Sequence, residues 1–219
     1  MNTSSLSASS PALVAGAAAL GLTLSAAQSA QLLRLAEELR RWNKAYNLPA
    51  ITDPQEILTH HLLDSLAAQP DLAGDTVADV GTGAGFPGLP LAVVNPQRRF
   101  TLIDAVDKKL RFVAHAAREL GLDNVTTWHG RVEALRPAAP FDTVIARAFA
   151  PLPRMLGWIT PLCGPGTQVV AMKGRWPPGA DAADEHAPLP PGWQIQSVRP
   201  VGVPGLAAAR HHLILHQVS

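Results

Sequence analysis

Apolar residues recur at helical spacing over the first third of the chain and in short runs over the rest. Leu32, Leu35, Ala36, Leu39 and Trp42 share one helical face, and Ser25-Ala26-Ala27-Gln28 just before them has the S-x-x-Q form of a capping box. This spacing predicts a helix of about twenty residues. Asp53-Pro54-Gln55-Glu56 predicts a second helix start, with an acidic cap, proline in the first turn and glutamate three residues after the cap. That helix carries the run LTHHLLDSL, in which His61 and Asp64 share a face and can meet in a hydrogen bond. From Thr76 onward the pattern changes to short apolar runs alternating with helix-length segments. Strands are expected at Thr76 to Val80, Phe100 to Asp104, Val125 to His129, Phe141 to Ala146 and Thr167 to Met172. Among the helices between them, one places Leu110, Val113, Ala114, Ala117 and Leu120 on a buried face opposite Lys108, Lys109, Arg111 and Arg118, with Asp107 as its cap. Trp193 to Val198 and His211 to His216 have no helix-length segment between them and read as an antiparallel pair at the sheet edge. Residues 175–192, rich in proline, alanine and acid, read as a mobile loop. The pattern is that of an α/β, Rossmann-like fold: a mostly parallel twisted sheet with helices on both faces and an antiparallel edge, behind an N-terminal helical extension. Residues 1–10 read as a flexible tail, 11–72 as the extension and 73–219 as the α/β domain.

The stretch TVADVGTGAGFPG breaks an apolar strand into four glycines, Gly81, Gly83, Gly85 and Gly88. Glycine accepts positive φ and lets a ligand approach backbone N–H groups, so a strand-turn-helix of this composition is built for a bound phosphate or nucleoside. A nicotinamide dinucleotide loop fits imperfectly, because counting from Gly81 puts Phe86 in the third glycine position. Asp79 before the first glycine, and Asp104 ending the next strand at ribose-binding distance, look instead like the S-adenosylmethionine loop of class I methyltransferases. Arg147 follows the fourth strand on the side of the sheet where ligands bind.

Composition narrows the reading further. In 219 residues with 47% hydrophobic there is room for one α/β domain and an accessory piece. A net charge of +1 excludes a general polycation, so contact with nucleic acid must come from a local patch. The run RRWNKAYNL supplies one, in which Arg40, Arg41 and Lys44 stand beside aromatic residues; the same cations also suit a helix C-terminus. The apolar residues 11–24 are too short to span a bilayer, and no basic residue precedes Arg34 as a signal peptide requires. The single Cys163 suits a reducing cytosol, and no Cys/His cluster has metal-ligand spacing. Cys163, at a helix end before Gly-Pro-Gly, reads as a packed thiol rather than a nucleophile.

RRWNKAYNL, HHLLDS, DVGTGAGFPGLPLAV, FTLIDAVDKK, GRVE, FDTVIARAFA and AMKG occur in order across residues 25–219. In this the chain resembles the RsmG (GidB) family, bacterial 16S ribosomal RNA guanine-N7 methyltransferases. The resemblance implies a cytoplasmic class I methyltransferase domain over residues 73–219. It would transfer a methyl group from S-adenosylmethionine to N7 of a guanine, position 527 in the 530 loop, with 16S rRNA, the 30S subunit or an assembly intermediate as partner and no membrane. It further implies that Gly81, Gly83, Phe86, Asp104, Val132, Glu133 and Arg147 contact the cofactor. Candidate RNA contacts are Arg40, Arg41, Lys44, His61, Asp64, Arg131 and Phe149. His60 stands where the family often has arginine, and Ala84 where it often has a loop proline. Guanine N7 has an in-plane lone pair and no proton at neutral pH, so no residue is assigned as acid or base; Arg147 and Lys173 are the catalytic candidates, acting by position and charge. A small-molecule methyltransferase, a nicotinamide oxidoreductase and a non-catalytic RNA-binding module are the rival readings.

Overall fold

The computed structural model describes residues 4–46, 53–179, 182–185 and 187–218. Seven strands form one sheet in the order β3-β2-β1-β4-β5-β7-β6. They are β1 (Thr76–Val80), β2 (Arg99–Asp104), β3 (Val125–His129), β4 (Thr143–Arg147), β5 (Gln168–Lys173), β6 (Trp193–Pro200) and β7 (His211–Gln217). The first five run parallel; β7 joins β5 antiparallel and β6 joins β7 antiparallel, which is the edge pair the sequence predicts. Strand order reverses at β1, where β2 lies on one side and β4 on the other, and such a reversal opens a crevice at the carboxyl ends of the strands.

Side chains along the central strands alternate between two cores, as period-two geometry requires. Val77 and Ile145 face one and Ala78, Val80, Val144 and Ala146 the other. The first core is covered by helices α1 (Ser4–Ala19), α2 (Ala26–Tyr46), α5 (Gly88–Val94) and α6 (Asp107–Leu120), and the second by α7 (Leu152–Ile159). The helix that begins at Asp53 is composite: α3 (Pro54–Glu56), a π-helical segment at Ile57–Leu63, then α4 (Asp64–Leu66).

The predicted caps hold where side-chain oxygens have backbone donors to meet. Ser25 N donates to Gln28 Oε1 and Gln28 N to Ser25 Oγ, the two halves of the capping box. Asp53 Oδ1 accepts from the N–H groups of Gln55 and Glu56. α2 runs 21 residues.

Five local expectations are corrected. Asp107 is not a cap: it lies inside α6 and pairs with Arg111 at 2.7 Å, while Asp104 Oδ1 takes the N–H of Val106, the residue at the cap position. Ala114 is exposed, and Phe112 and Ala116 complete the buried face. β4 starts two residues late and includes Arg147 as its last residue. Within residues 175–192, a 3-10 turn at Ala183–Glu185 is tethered, with Glu185 accepting from Leu152 N and from Lys173 Nζ. α1 begins at Ser4, inside the stretch read as a tail, and its Gly16 packs so tightly on Leu63 that a Cβ there would collide. Among the described residues no helix is long and apolar enough to cross a membrane.

Candidate functional site

Three strands end in charged residues at the crevice: β2 in Asp104, β4 in Arg147 and β5 in Lys173. β1 ends at Val80, and the glycine turn begins one residue later. Gly81, Gly83 and Gly85 all have positive φ, near 69°, 60° and 86°, which only glycine adopts without strain. Gly81 has a second reason to be glycine: any Cβ would strike the ring of Phe149.

Asp79, buried at the end of β1, holds this turn from beneath. Its Oδ2 accepts from Thr82 Oγ1 at 2.6 Å and from Gly88 N at 2.8 Å, while its Oδ1 is buried with no partner among the described residues. Burial pushes the carboxyl up to about 6, although the two hydrogen bonds and the charge of Arg147 act against the shift. Asp104 ties the other limb of the loop, its Oδ2 accepting from Gly83 N at 2.9 Å.

Arg147 is anchored by the composite helix. Nη1 donates to Asp64 Oδ2 at 2.9 Å and to the His60 carbonyl at 2.7 Å, and the guanidinium lies 5.7 Å from the centre of the Phe86 ring. Asp64 accepts a second arginine, Arg210 Nε, at 3.0 Å on Oδ1. The sequence allowed a hydrogen bond between His61 and Asp64; instead both face Arg147, with His61 Nδ1 3.4 Å from its Nη2. The imidazole of His61 stacks on Phe86 at 4.7 Å and 20°. Burial, helped by the charge of Arg147 and opposed by Asp64, lowers His61 to about 4, so it is neutral at pH 7.

Around these groups lie three adjoining cavities. A small one of about 80 Å³ is lined by Ile103, Asp104, Arg131, Val132, Glu133 and Phe149. One of about 400 Å³ is lined by the glycine loop, Phe86, His61, Lys109 and Arg147, together with Leu39 and Asn43 of α2. Gly81 borders both. A third, of about 420 Å³, lies across Arg147 and is walled by His60, Asp64, Lys173 and Arg210.

The structure therefore brings together every residue expected at the cofactor: Gly81, Gly83, Phe86 and Arg147 on the large cavity, Asp104, Val132 and Glu133 on the small one. Phe149 packs edge-on against Trp158 at 5.7 Å and walls the small cavity, where Arg131 also stands, exposed. Lys173 lines the third cavity but its ammonium is held by Glu185 at 2.6 Å and the Ala150 carbonyl at 3.1 Å. Arg40, Arg41 and Lys44 are exposed on α2, Arg41 leaning on Glu38 at 3.0 Å; residues 47–52 of that region lie outside the described residues. Burial pushes the Cys163 thiol up to about 12 and its Sγ donates to Ile159 O, as suits a packed thiol. Sequence reasoning missed Arg210, whose partner Asp64 lies 146 residues earlier, and Asn43 and Lys109, which it noted only as members of charged or aromatic runs.

The chain is similar to known proteins over most of its length. The family GidB, described as rRNA small subunit methyltransferase G, matches residues 28–214. "Ribosomal RNA small subunit methyltransferase G" of Azoarcus sp. is 46% identical over 204 residues, 93% of this chain and 94% of its own. The protein of that name from Escherichia fergusonii is 44% identical over 195 residues, 89% and 92% of the two chains. Among solved structures, a SAM-dependent methyltransferase from Aquifex aeolicus superposes with a TM-score of 0.54 at 18% identity, covering 76% of this chain and 94% of its own. A SAM-dependent methyltransferase from Thiobacillus denitrificans, solved with S-adenosyl-L-homocysteine, gives 0.52 at 13% identity, covering 82% and 98%.

Proposed function

From the family to which this chain belongs, GidB or rRNA small subunit methyltransferase G, we infer that it transfers a methyl group from S-adenosylmethionine to N7 of a guanine in 16S ribosomal RNA. The base is the one in the 530 loop, position 527, that the motif resemblance implies, presented by the 30S subunit or an assembly intermediate in the cytoplasm.

The residues fit the cofactor. Ribose hydroxyls need an acceptor, and the Asp104 carboxylate stands at the small cavity beside the apolar Ile103 and Val132, which suit a purine. The buried Asn43 amide, which lines the large cavity beside the glycine loop, has no hydrogen-bond partner among the described residues, as expected of a site that awaits a polar ligand. When bound, adenosylmethionine supplies a methyl on a positively charged sulfur, ready for direct displacement.

The chain's own task is then to hold and orient. Guanine N7 needs no base to remove a proton, and His61, neutral and stacked on Phe86, offers a flat wall rather than a charge. Arg147 is fixed at the boundary of the two larger cavities by Asp64 and the His60 carbonyl. A guanidinium there can donate to guanine O6 or a phosphate and so set the angle at which N7 approaches. The observation that carries the reading is the shared border: Gly81 joins the Asp104 cavity to the Arg147 cavity, so one ligand can span the loop and meet a second beside Arg147.

Labelled methyl transfer to naked 16S rRNA, 30S subunits and 70S ribosomes, with the modified base mapped, tests this. Label is expected on the N7 of one guanine, with Arg147→Ala slower by about a hundredfold or more. Label on another base, or full activity in that variant, refutes the assignment.

A further inference from the structure

Asn43 sits in α2, one turn beyond Leu39, and both side chains line the 400 Å³ cavity opposite the glycine loop. It is only 5% exposed, and neither Nδ2 nor Oδ1 has a hydrogen-bond partner among the described residues. An unpaired amide away from water carries a desolvation penalty, and folded proteins retain few such groups without a reason. The acidic residue nearest to it along its helix cannot relieve it: Glu38 is already committed to Arg34, Arg41 and His115.

The unmet needs of this amide are specific. Oδ1 lacks a donor and Nδ2 lacks an acceptor, so the matching ligand carries both at adjacent positions. The α-amino acid end of adenosylmethionine does, with an ammonium and a carboxylate on one carbon. Location favours the same match. The small cavity holding Asp104, Val132 and Glu133 suits the nucleoside, and it meets the larger one at Gly81. The rest of the same molecule must then cross Gly81 into the cavity that Asn43 lines, where Lys109 adds a positive charge suited to a carboxylate.

We propose that Asn43 holds the amino-acid end of adenosylmethionine, Oδ1 accepting from the ammonium and Nδ2 donating to the carboxylate. The assignment rests on the cofactor reading above, and it gives α2 of the helical extension a direct part in cofactor selection.

Two ligands separate the proposal from its premise. S-adenosylhomocysteine carries the amino-acid end, whereas 5′-methylthioadenosine keeps nucleoside and sulfur but lacks it. By calorimetry the wild-type chain should bind the first more tightly. Asn43→Leu, close in shape, should weaken S-adenosylhomocysteine by about tenfold or more and methylthioadenosine by less than about twofold, the retained binding reporting an intact fold. Should the leucine variant fail to fold, Asn43→Asp decides, since its charge repels a carboxylate and should weaken only the first ligand. Equal weakening of both ligands, or of neither, overturns the proposal, as does unchanged S-adenosylhomocysteine affinity with slower transfer to rRNA, which would assign Asn43 to the RNA. A wild-type chain that binds neither ligand overturns the cofactor reading itself.

Discussion

Asp79 and His61 titrate over overlapping ranges with opposite effect on stability. The folded value for Asp79, about 6, exceeds its ordinary 3.8, so between the two the folded chain keeps a proton that the unfolded chain has released. Stability from this group falls as pH rises through that window. The folded value for His61, about 4, lies below its ordinary 6.5; there the unfolded chain holds the extra proton, and stability is lost as pH falls from 6.5 toward 4. The two slopes oppose each other between about pH 4 and 6. Asp79→Asn should therefore make the urea midpoint climb more steeply with pH over that range, and His61→Gln should make it climb less or fall. Parallel profiles for the variants and wild type would show that neither group is held as described. The residues that bear the chemistry were legible at this scale because glycine turns and strand-end acids have fixed spacing. What each one touches was not. Arg147 was placed on the ligand side, but its anchoring by the His60 carbonyl and Asp64 depends on contacts 87 and 83 residues apart.

Among the elements, the glycine turn and the π-helical segment share the work of the site. The turn needs Gly81 both for its positive φ and for the ring of Phe149 lying against it. Gly81→Ala should displace that ring into the small cavity, weaken S-adenosylhomocysteine by at least about tenfold and cost about 1–3 kcal/mol of stability. Calorimetry and urea unfolding measure the two effects, and a variant with wild-type affinity would mean that the turn does not border the ligand. The π-helical segment Ile57–Leu63 was read as ordinary helix, since its apolar spacing and its Asp53 cap look the same in either form. Its carbonyl at His60 is available to Arg147, in keeping with the habit of such segments to occur at functional sites.

Across the whole molecule, a buried polar cluster fastens the helical extension to the far edge of the sheet. Asp71, in the 3-10 turn at Gln69–Asp71, accepts from Arg199 of β6 and lies 2.6 Å from His212 Nδ1 of β7. Gln168 of β5 donates to its carbonyl at 2.6 Å. Burial acts to raise Asp71, but the hydrogen bonds with His212 and Arg199 prevail and hold its carboxyl below the usual range. Its contribution to stability is therefore present above the ordinary value and lost as pH falls through the lowered one. Asp71→Ala leaves Arg199 and His212 unmatched and should cost about 2–4 kcal/mol in urea unfolding at neutral pH, without altering the ligand affinities. A loss confined to cofactor binding would contradict this structural role.

The amino-acid sequence alone determined the alternation of strands and helices, the antiparallel edge pair, the caps at Ser25 and Asp53, and the loop built from Gly81 to Gly88. These follow from periodicity, capping chemistry and backbone freedom, all of which act over a few residues. Only the tertiary structure decided which groups share a cavity, that Asp64 serves two arginines, that burial pushes Asp79 up to about 6 and that Asn43 has no partner among the described residues. Each depends on burial or on contact between distant segments, where the low dielectric of a packed interior sets energies that local pattern does not record.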